Sequence, residues 1–222
     1  MATGRHTLSL LMATLLCWVT PQASSAARSA LSQPNYSVDT VFIYSNGQVE
    51  KLLEKNDSWY LLEDMRKRRY KRDINFTIPT LEYRSLTSSY LQSVSNGDPD
   101  TLFPLDQSKH SSFTVIKKRA NGDEFTRNWS CSSVENSTIK AMGKSTHTFK
   151  TTCSRNSWSK QFLVLKEQVD FYYDPKKSWV VKTISHKSGK SRTKQLIAVL
   201  PPGQATPLNI MRIVRKLRNK AD

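Results

Sequence analysis

Apolar and polar positions alternate with a period of two through most of the chain, the spacing that builds half-buried strands. Val38, Thr40, Phe42 and Tyr44 fall on one side of a first strand, and Asp39, Val41, Ile43 and Ser45 on the other. Asn46-Gly47 then supplies the residue pair that a tight hairpin turn requires at positive φ. A second strand follows over Gln48–Glu54, Asn56-Asp57 turns the chain again, and Trp59 to Leu62 begins a third. Residues 76–84 read as extended around Pro79, which argues for an edge strand or a bulge. The stretch 85–95 predicts a short helix, and Asn96 to Pro99 a loop.

The pattern is cleaner in the second half. Ser112–Arg119 and Glu124–Ser130 flank Asn121-Gly122, the strongest hairpin signal in the chain. Lys144–Cys153 is a Thr-rich strand. Gln161–Tyr173, Ser178–Lys187 and Ser191–Leu200 form a meander with turns at Asp174–Lys177 and Ser188–Lys190. Pro201-Pro202-Gly203 stops the β pattern, and residues 207–220 change to a helical period. Leu208, Met211 or Ile210, Val214 and Leu217 share one face there, and Arg212, Arg215, Lys216, Arg218 and Lys220 occupy the rest. The expected architecture is mainly β: an antiparallel curved sheet, a half-barrel or a sandwich, followed by a C-terminal amphipathic helix.

The N-terminus departs from this pattern. Residues 1–26 have the basic start, short apolar stretch and small-residue end of a secretory signal peptide, with cleavage expected after Ala26. Residues 27–37 read as a flexible lead-in, 38–200 as a single β-domain, and 201–222 as a Pro-Gly linker with a basic helix. Cys17 falls in the leader, and Leu16 before it does not suit a lipoprotein signal. That leaves Cys131 and Cys153 in an exported chain, where two lone cysteines usually pair. The alternative is two separately buried thiols. Zinc is disfavoured because His147 alone lies nearby, and no metal or other cofactor is implied.

The order of short motifs adds a resemblance. Asn75-Phe76-Thr77-Ile78-Pro79 precedes Leu102-Phe103-Pro104-Leu105, the paired cysteines follow, and Tyr172-Tyr173-Asp174-Pro175 leads into Val180-Val181-Lys182. Over roughly residues 38–200 this resembles a β-rich domain of many uncharacterised exported bacterial proteins, similar to the folds of periplasmic lipoprotein-handling proteins. The resemblance implies a half-barrel or sandwich and carries no catalytic residues. The chain departs from the pattern at Gln107-Ser108-Lys109 and at Lys176-Lys177-Ser178, where glycine would be common.

Charge narrows the function. Lys and Arg number 34 against 18 Asp and Glu, a formal net charge of +16, and only 37% of residues are hydrophobic. The candidate anion-binding residues are Arg66, Lys67, Arg68, Arg69, Lys71 and Arg72 in one run, with Lys176 and Lys177 on a later turn. In an exported protein the matching polyanions are lipopolysaccharide, lipid headgroups and acidic polysaccharides, and nucleic acid is a weaker match. Trp129, Phe171, Tyr173 and Trp179 are candidates for an apolar groove, or for plain core around the cysteines.

Signals of catalysis are poor. His110, His147 and His186 are isolated, and Ser137–Lys140 and Ser157–Lys160 match Ser-x-x-Lys without companion motifs. The sequence therefore reads as an exported, non-catalytic cell-envelope protein, periplasmic or secreted. Its expected role is structural or binding, with a cationic surface for anionic lipid or polysaccharide. Two alternatives stand beside it: a hydrolase with dispersed catalytic residues, or an extracellular nucleic-acid binder.

Overall fold

A computed structural model describes residues 31, 33–159 and 162–219. The expected leader, its cleavage after Ala26, Cys17 and Lys220 lie outside these residues. Twelve strands follow one another as an antiparallel meander. They are β1 (Val41–Tyr44), β2 (Val49–Lys55), β3 (Trp59–Asp64), β4 (Arg69–Asp73), β5 (Glu82–Arg84) and β6 (Ser89–Gly97). Then come β7 (His110–Arg119), β8 (Glu124–Ala141), β9 (Lys144–Ser159), β10 (Phe162–Asp174), β11 (Trp179–Lys187) and β12 (Lys190–Leu200).

The sheet is a closed barrel, not the open half-barrel or sandwich that the sequence predicts. Closure comes from β1, which pairs with β2 and also with β12, Val41 opposite Leu200 and Phe42 opposite Val199. Alternation along a strand says which face is buried. It does not say whether the first and last strands find each other, because that pairing is non-local. A closed barrel also leaves no edge exposed. Register shifts interrupt six of the strand pairs, and such bulges add the bend that closure needs.

Two further expectations fail. The helix predicted within 85–95 is strand β6, whose Tyr90, Gln92 and Val94 alternate inward. Pro79 lies in the loop before β5, not in an edge strand.

The barrel interior is mainly apolar and aromatic around a few buried charges, and the outer face carries many charged side chains. Phe42, Leu52, Leu62, Val181 and Leu196 are fully buried. Lys51, Glu63, Arg69 and Lys71 alternate with inward neighbours on β2–β4 and face out. A lipid-spanning barrel needs the reverse arrangement. By the order of the meander, the β1–β2, β3–β4, β5–β6, β7–β8 and β11–β12 turns share one end, called here the upper end. The lower end is packed with Leu31, Ile74, Phe76, Leu102 and Phe103, which join the cluster around the cysteines.

Cys131 and Cys153 are directly opposite on β8 and β9 and form a buried disulfide, Cα to Cα 4.0 Å. Helix α1 (Pro207–Arg218) is capped by Thr206, whose side chain accepts the Asn209 N–H at 3.3 Å. Ile210, Ile213, Val214 and Leu217 pack on the outer face of β1, β2 and β12, against Val41, Ile43, Val49 and Leu200. Of the alternatives Met211 or Ile210 it is Ile210 that packs, and Leu208, expected on that stripe, is 63% exposed, as Met211 is 59%.

Candidate functional site

The barrel encloses a lumen cavity of about 360 Å³. Strand alternation supplies its walls, since every second residue of a barrel strand points inward. Aromatic rings dominate: Tyr44, Tyr60, Tyr90, Trp129, Phe171 and Trp179. The 76–80 stretch of the β4–β5 loop forms the floor, with Phe76, Ile78 and Pro79. Phe42 stacks on Trp179 at 4.2 Å and Phe76 on Tyr173 at 4.9 Å, so the lower lumen is a fixed aromatic surface.

Cations are set into this wall higher up. Glu50 is fully buried, and its Oε1 accepts from Gln48 Nε2 at 2.7 Å, Lys194 Nζ at 2.9 Å and Arg72 Nη2 at 3.1 Å. Burial alone would raise the Glu50 carboxyl; Arg72 and Lys194 outweigh it and hold the group below its ordinary value. Burial pushes Lys194 down to about 8, against the opposing pull of Glu50. The Lys194 ammonium also sits 3.9 Å from the Tyr44 ring centre.

A second polar group lies across β7–β10. Arg155 pairs with Glu167 at 3.2 Å. Arg127 lines the cavity nearby, and burial together with the Arg155 charge lowers its pKa. No ion pair to Arg127 occurs among the described residues. Lys117 lies 3.5 Å over the Tyr90 ring, its pKa pushed to about 8 by burial and by Arg127 and Arg119. Polar atoms of lining residues, Trp129 Nε1, Trp179 Nε1 and Gln92 Oε1, are buried without a hydrogen bond among the described residues.

The candidate anion-binding residues lie on more than one surface. Within 66–72, Lys67 and Arg69 pair with Glu63, Arg68 pairs with Asp64, and Arg72 turns into the lumen onto Glu50. Lys71 lies over the Trp59 ring at 4.0 Å. Arg66 is exposed on the β3–β4 turn, at the upper end. Lys176 and Lys177 are exposed on the β10–β11 turn, at the opposite end. Alternation is the reason: a run of like charges laid along a strand is divided between two faces.

The groove candidates fare differently. Trp129, Phe171 and Trp179 line the cavity, while Tyr173 is packed into the lower core. Glu50, Arg127 and Glu167 are not singled out by sequence, and Lys194 stands there only as one of the cations of the last hairpins. The signal available was a charged residue at an inward position of an alternating strand, as Glu50 stands between Val49 and Lys51.

His110, His147 and His186 are exposed on β7, β9 and β11, and none lines the lumen. Among the described residues, the His110 and His186 rings hydrogen bond to serine hydroxyls, of Ser112 and Ser130 and of Ser191. No group of three His, Cys, Asp or Glu side chains placed to hold a metal occurs among the described residues.

No family model matches the sequence, and no curated protein matches it. Solved structures do. The fold is similar to that of the hypothetical lipoprotein YmcC from Escherichia coli (K12), at 12% identity and a TM-score of 0.50, over 79% of this chain and 90% of that one. A candidate exported protein with a YmcC-like fold from Bacteroides fragilis NCTC 9343 aligns at 10% identity over 76% and 98%, with a TM-score of 0.36. At these identities the likeness concerns the fold.

Proposed function

We propose that the protein is an exported, non-catalytic component of the cell envelope whose barrel lumen holds an anionic lipid, an acyl chain with a carboxylate or phosphate head. The observation that carries this is the union, in one cavity, of a deep aromatic wall with Arg127, a cation that makes no close ion pair among the described residues, Glu167 of the same wall being paired with Arg155. The cavity falls in the size range of small-molecule sites, and such sites combine apolar lining with a few fixed polar groups. In this reading the chain lies among Phe76, Trp129, Phe171 and Trp179, and the head group takes Arg127. The leader read from residues 1–26 and the description of the YmcC structure as a lipoprotein support an envelope location.

The test uses the mature, oxidised protein with dodecanoate, dodecanol and a uronic-acid oligosaccharide as separate probes, followed by tryptophan fluorescence and calorimetry. Dodecanoate should bind, dodecanol should bind more weakly, and Arg127→Met should remove the difference between them. Binding of the oligosaccharide alone, or of none of the three, overturns the reading.

A further inference from the structure

The last acidic residue before the C-terminal Asp222 is Asp174. Between them stand twelve Lys and Arg and no Asp or Glu. The topology gathers much of this segment on one side of the molecule: β11 and β12 are neighbours, and α1 packs across β1 and β12. Among these cations Lys194 turns inward to Glu50. Lys187, Lys190, Arg192, Arg212, Arg215, Lys216 and Arg218 are exposed, and no acidic side chain pairs with any of them among the described residues.

Helix α1 sharpens this face. Its inward stripe, Ile210, Ile213, Val214 and Leu217, is already used against the barrel. The outward stripe follows the same period: Leu208, Met211, Arg212, Arg215 and Lys216, all exposed. Two apolar side chains thus lie one turn from three cations on a surface the barrel leaves uncovered.

We infer that the β11–β12–α1 face docks the protein on an anionic lipid bilayer. Charge complementarity selects the occupant: the acids that flank α1, Asp39 and Glu63 beside Ile210, are already paired with Lys51, Lys67 and Arg69, so the face presents unpaired cations to a sheet of phosphates, and each cation near such a surface strengthens attachment. Leu208 and Met211 provide shallow contact at the headgroup level. Phe, Trp and Tyr are missing from residues 207–222, so the helix has neither the anchors for deep insertion nor rings on which nucleic-acid bases would stack. Adsorption should therefore be electrostatic and salt-sensitive. This face lies outside the lumen and does not depend on what the lumen holds.

The experiment is co-sedimentation of the mature protein with vesicles of equal parts phosphatidylcholine and phosphatidylglycerol, against phosphatidylcholine alone. Binding should occur to the first only, and should fade between about 0.01 M and 0.15 M ionic strength as the Debye length falls from about 30 to 8 Å. The triple variant Arg212→Gln, Arg215→Gln, Lys216→Gln should lose affinity by on the order of a hundredfold. Leu208→Ser with Met211→Ser should lose less, and Arg127→Met should lose nothing. These side chains are exposed, and circular dichroism checks that each variant keeps the barrel. Retention of wild-type binding by the triple variant overturns the assignment. So does the absence of binding at low salt, or an equally tight hold on duplex DNA through the same three residues.

Discussion

Lys194 Nζ lies 2.9 Å from Oε1 of the fully buried Glu50, although 144 positions separate them in the chain. The contact joins the last strand to the second and spans β1, the strand through which the barrel closes. Arg72, from β4, reaches the same oxygen. Two cations on one buried carboxylate make a group that is costly to break and of little net value against an apolar replacement. Glu50→Gln should thus lower stability by about 3–5 kcal/mol, because Arg72 keeps its buried charge without a counter-ion and Lys194, losing the pull of Glu50, must give up its proton to stay buried. Replacing all three by Leu or Met should recover most of the loss. Chemical denaturation decides this; a loss under about 1 kcal/mol for Glu50→Gln would mean that the cluster is hydrated.

The same cluster sets a pH dependence. The folded-state pKa of Lys194 is about 8, against 10.5 for an unperturbed lysine. Between those values the unfolded chain binds a proton that the folded chain has released, so stability contributed by this group rises with pH. Glu50 acts at the other end. Its carboxyl is held below 4.5 in the folded state, so its contribution is present above 4.5 and is lost as pH falls through the folded value. Lys117 is shifted in the same direction as Lys194, which makes a difference curve necessary. Subtracting the denaturation midpoints of Lys194→Met from those of the wild type should leave a rise above about pH 8. A flat difference there would show that the ammonium is not desolvated.

The disulfide closes a loop of sequence separation 22 between adjacent strands of the longest hairpin. Cross-linking a loop of this length restricts the unfolded chain and is worth about 3 kcal/mol. The double variant Cys131→Ser, Cys153→Ser should lose stability of that order while keeping the barrel's circular dichroism. A loss near zero would mean that the β8–β9 hairpin persists in the unfolded state and has already closed the loop.

Sequence carried the strands and hid their closure. Val38–Tyr44 and Ser191–Leu200 both read as strands, but nothing in either says that Val41 faces Leu200, since the pairing depends on how the sheet between them twists. Of the aromatics that line the lumen, Trp129, Phe171 and Trp179 stood out in strongly alternating segments, whereas Tyr44, Tyr60, Phe76 and Tyr90 were not picked out as groove residues. Tyr173 fell away from them: the bulge between Tyr172 and Tyr173 breaks the register there, and its ring packs on Phe76 in the lower core. The basic run 66–72 looked like one patch because composition has no faces. Once folded, Arg72 points inward, and Glu63 and Asp64 neutralise three of its neighbours. Helix α1 was legible in extent and less so in phase. Its register against the barrel was fixed by Val41, Ile43 and Val49, which lie far away in sequence.

Gly97 offers the narrowest test of the packing. It closes β6 at φ +77, opposite Phe113 of β7. A Cβ added there would sit 2.2 Å from the Ser112 carbonyl oxygen and 2.8 Å from the Phe113 Cα, both backbone atoms of the neighbouring strand. Gly122, in the β7–β8 turn, has φ +87 and nothing within 4 Å of such a Cβ. Both positions penalise alanine for the left-handed backbone, at about 1 kcal/mol or more. Only Gly97 adds a collision that a side-chain rotation cannot relieve. Gly97→Ala should therefore be less stable than Gly122→Ala by at least about 1 kcal/mol, because β6 and β7 must separate to admit the methyl group. Denaturation midpoints of the two variants, with amide exchange at Phe113 as a local readout, measure the difference. Equal midpoints would show that β6 ends in a segment loose enough to move aside, and that the register of Gly97 on Phe113 is not fixed.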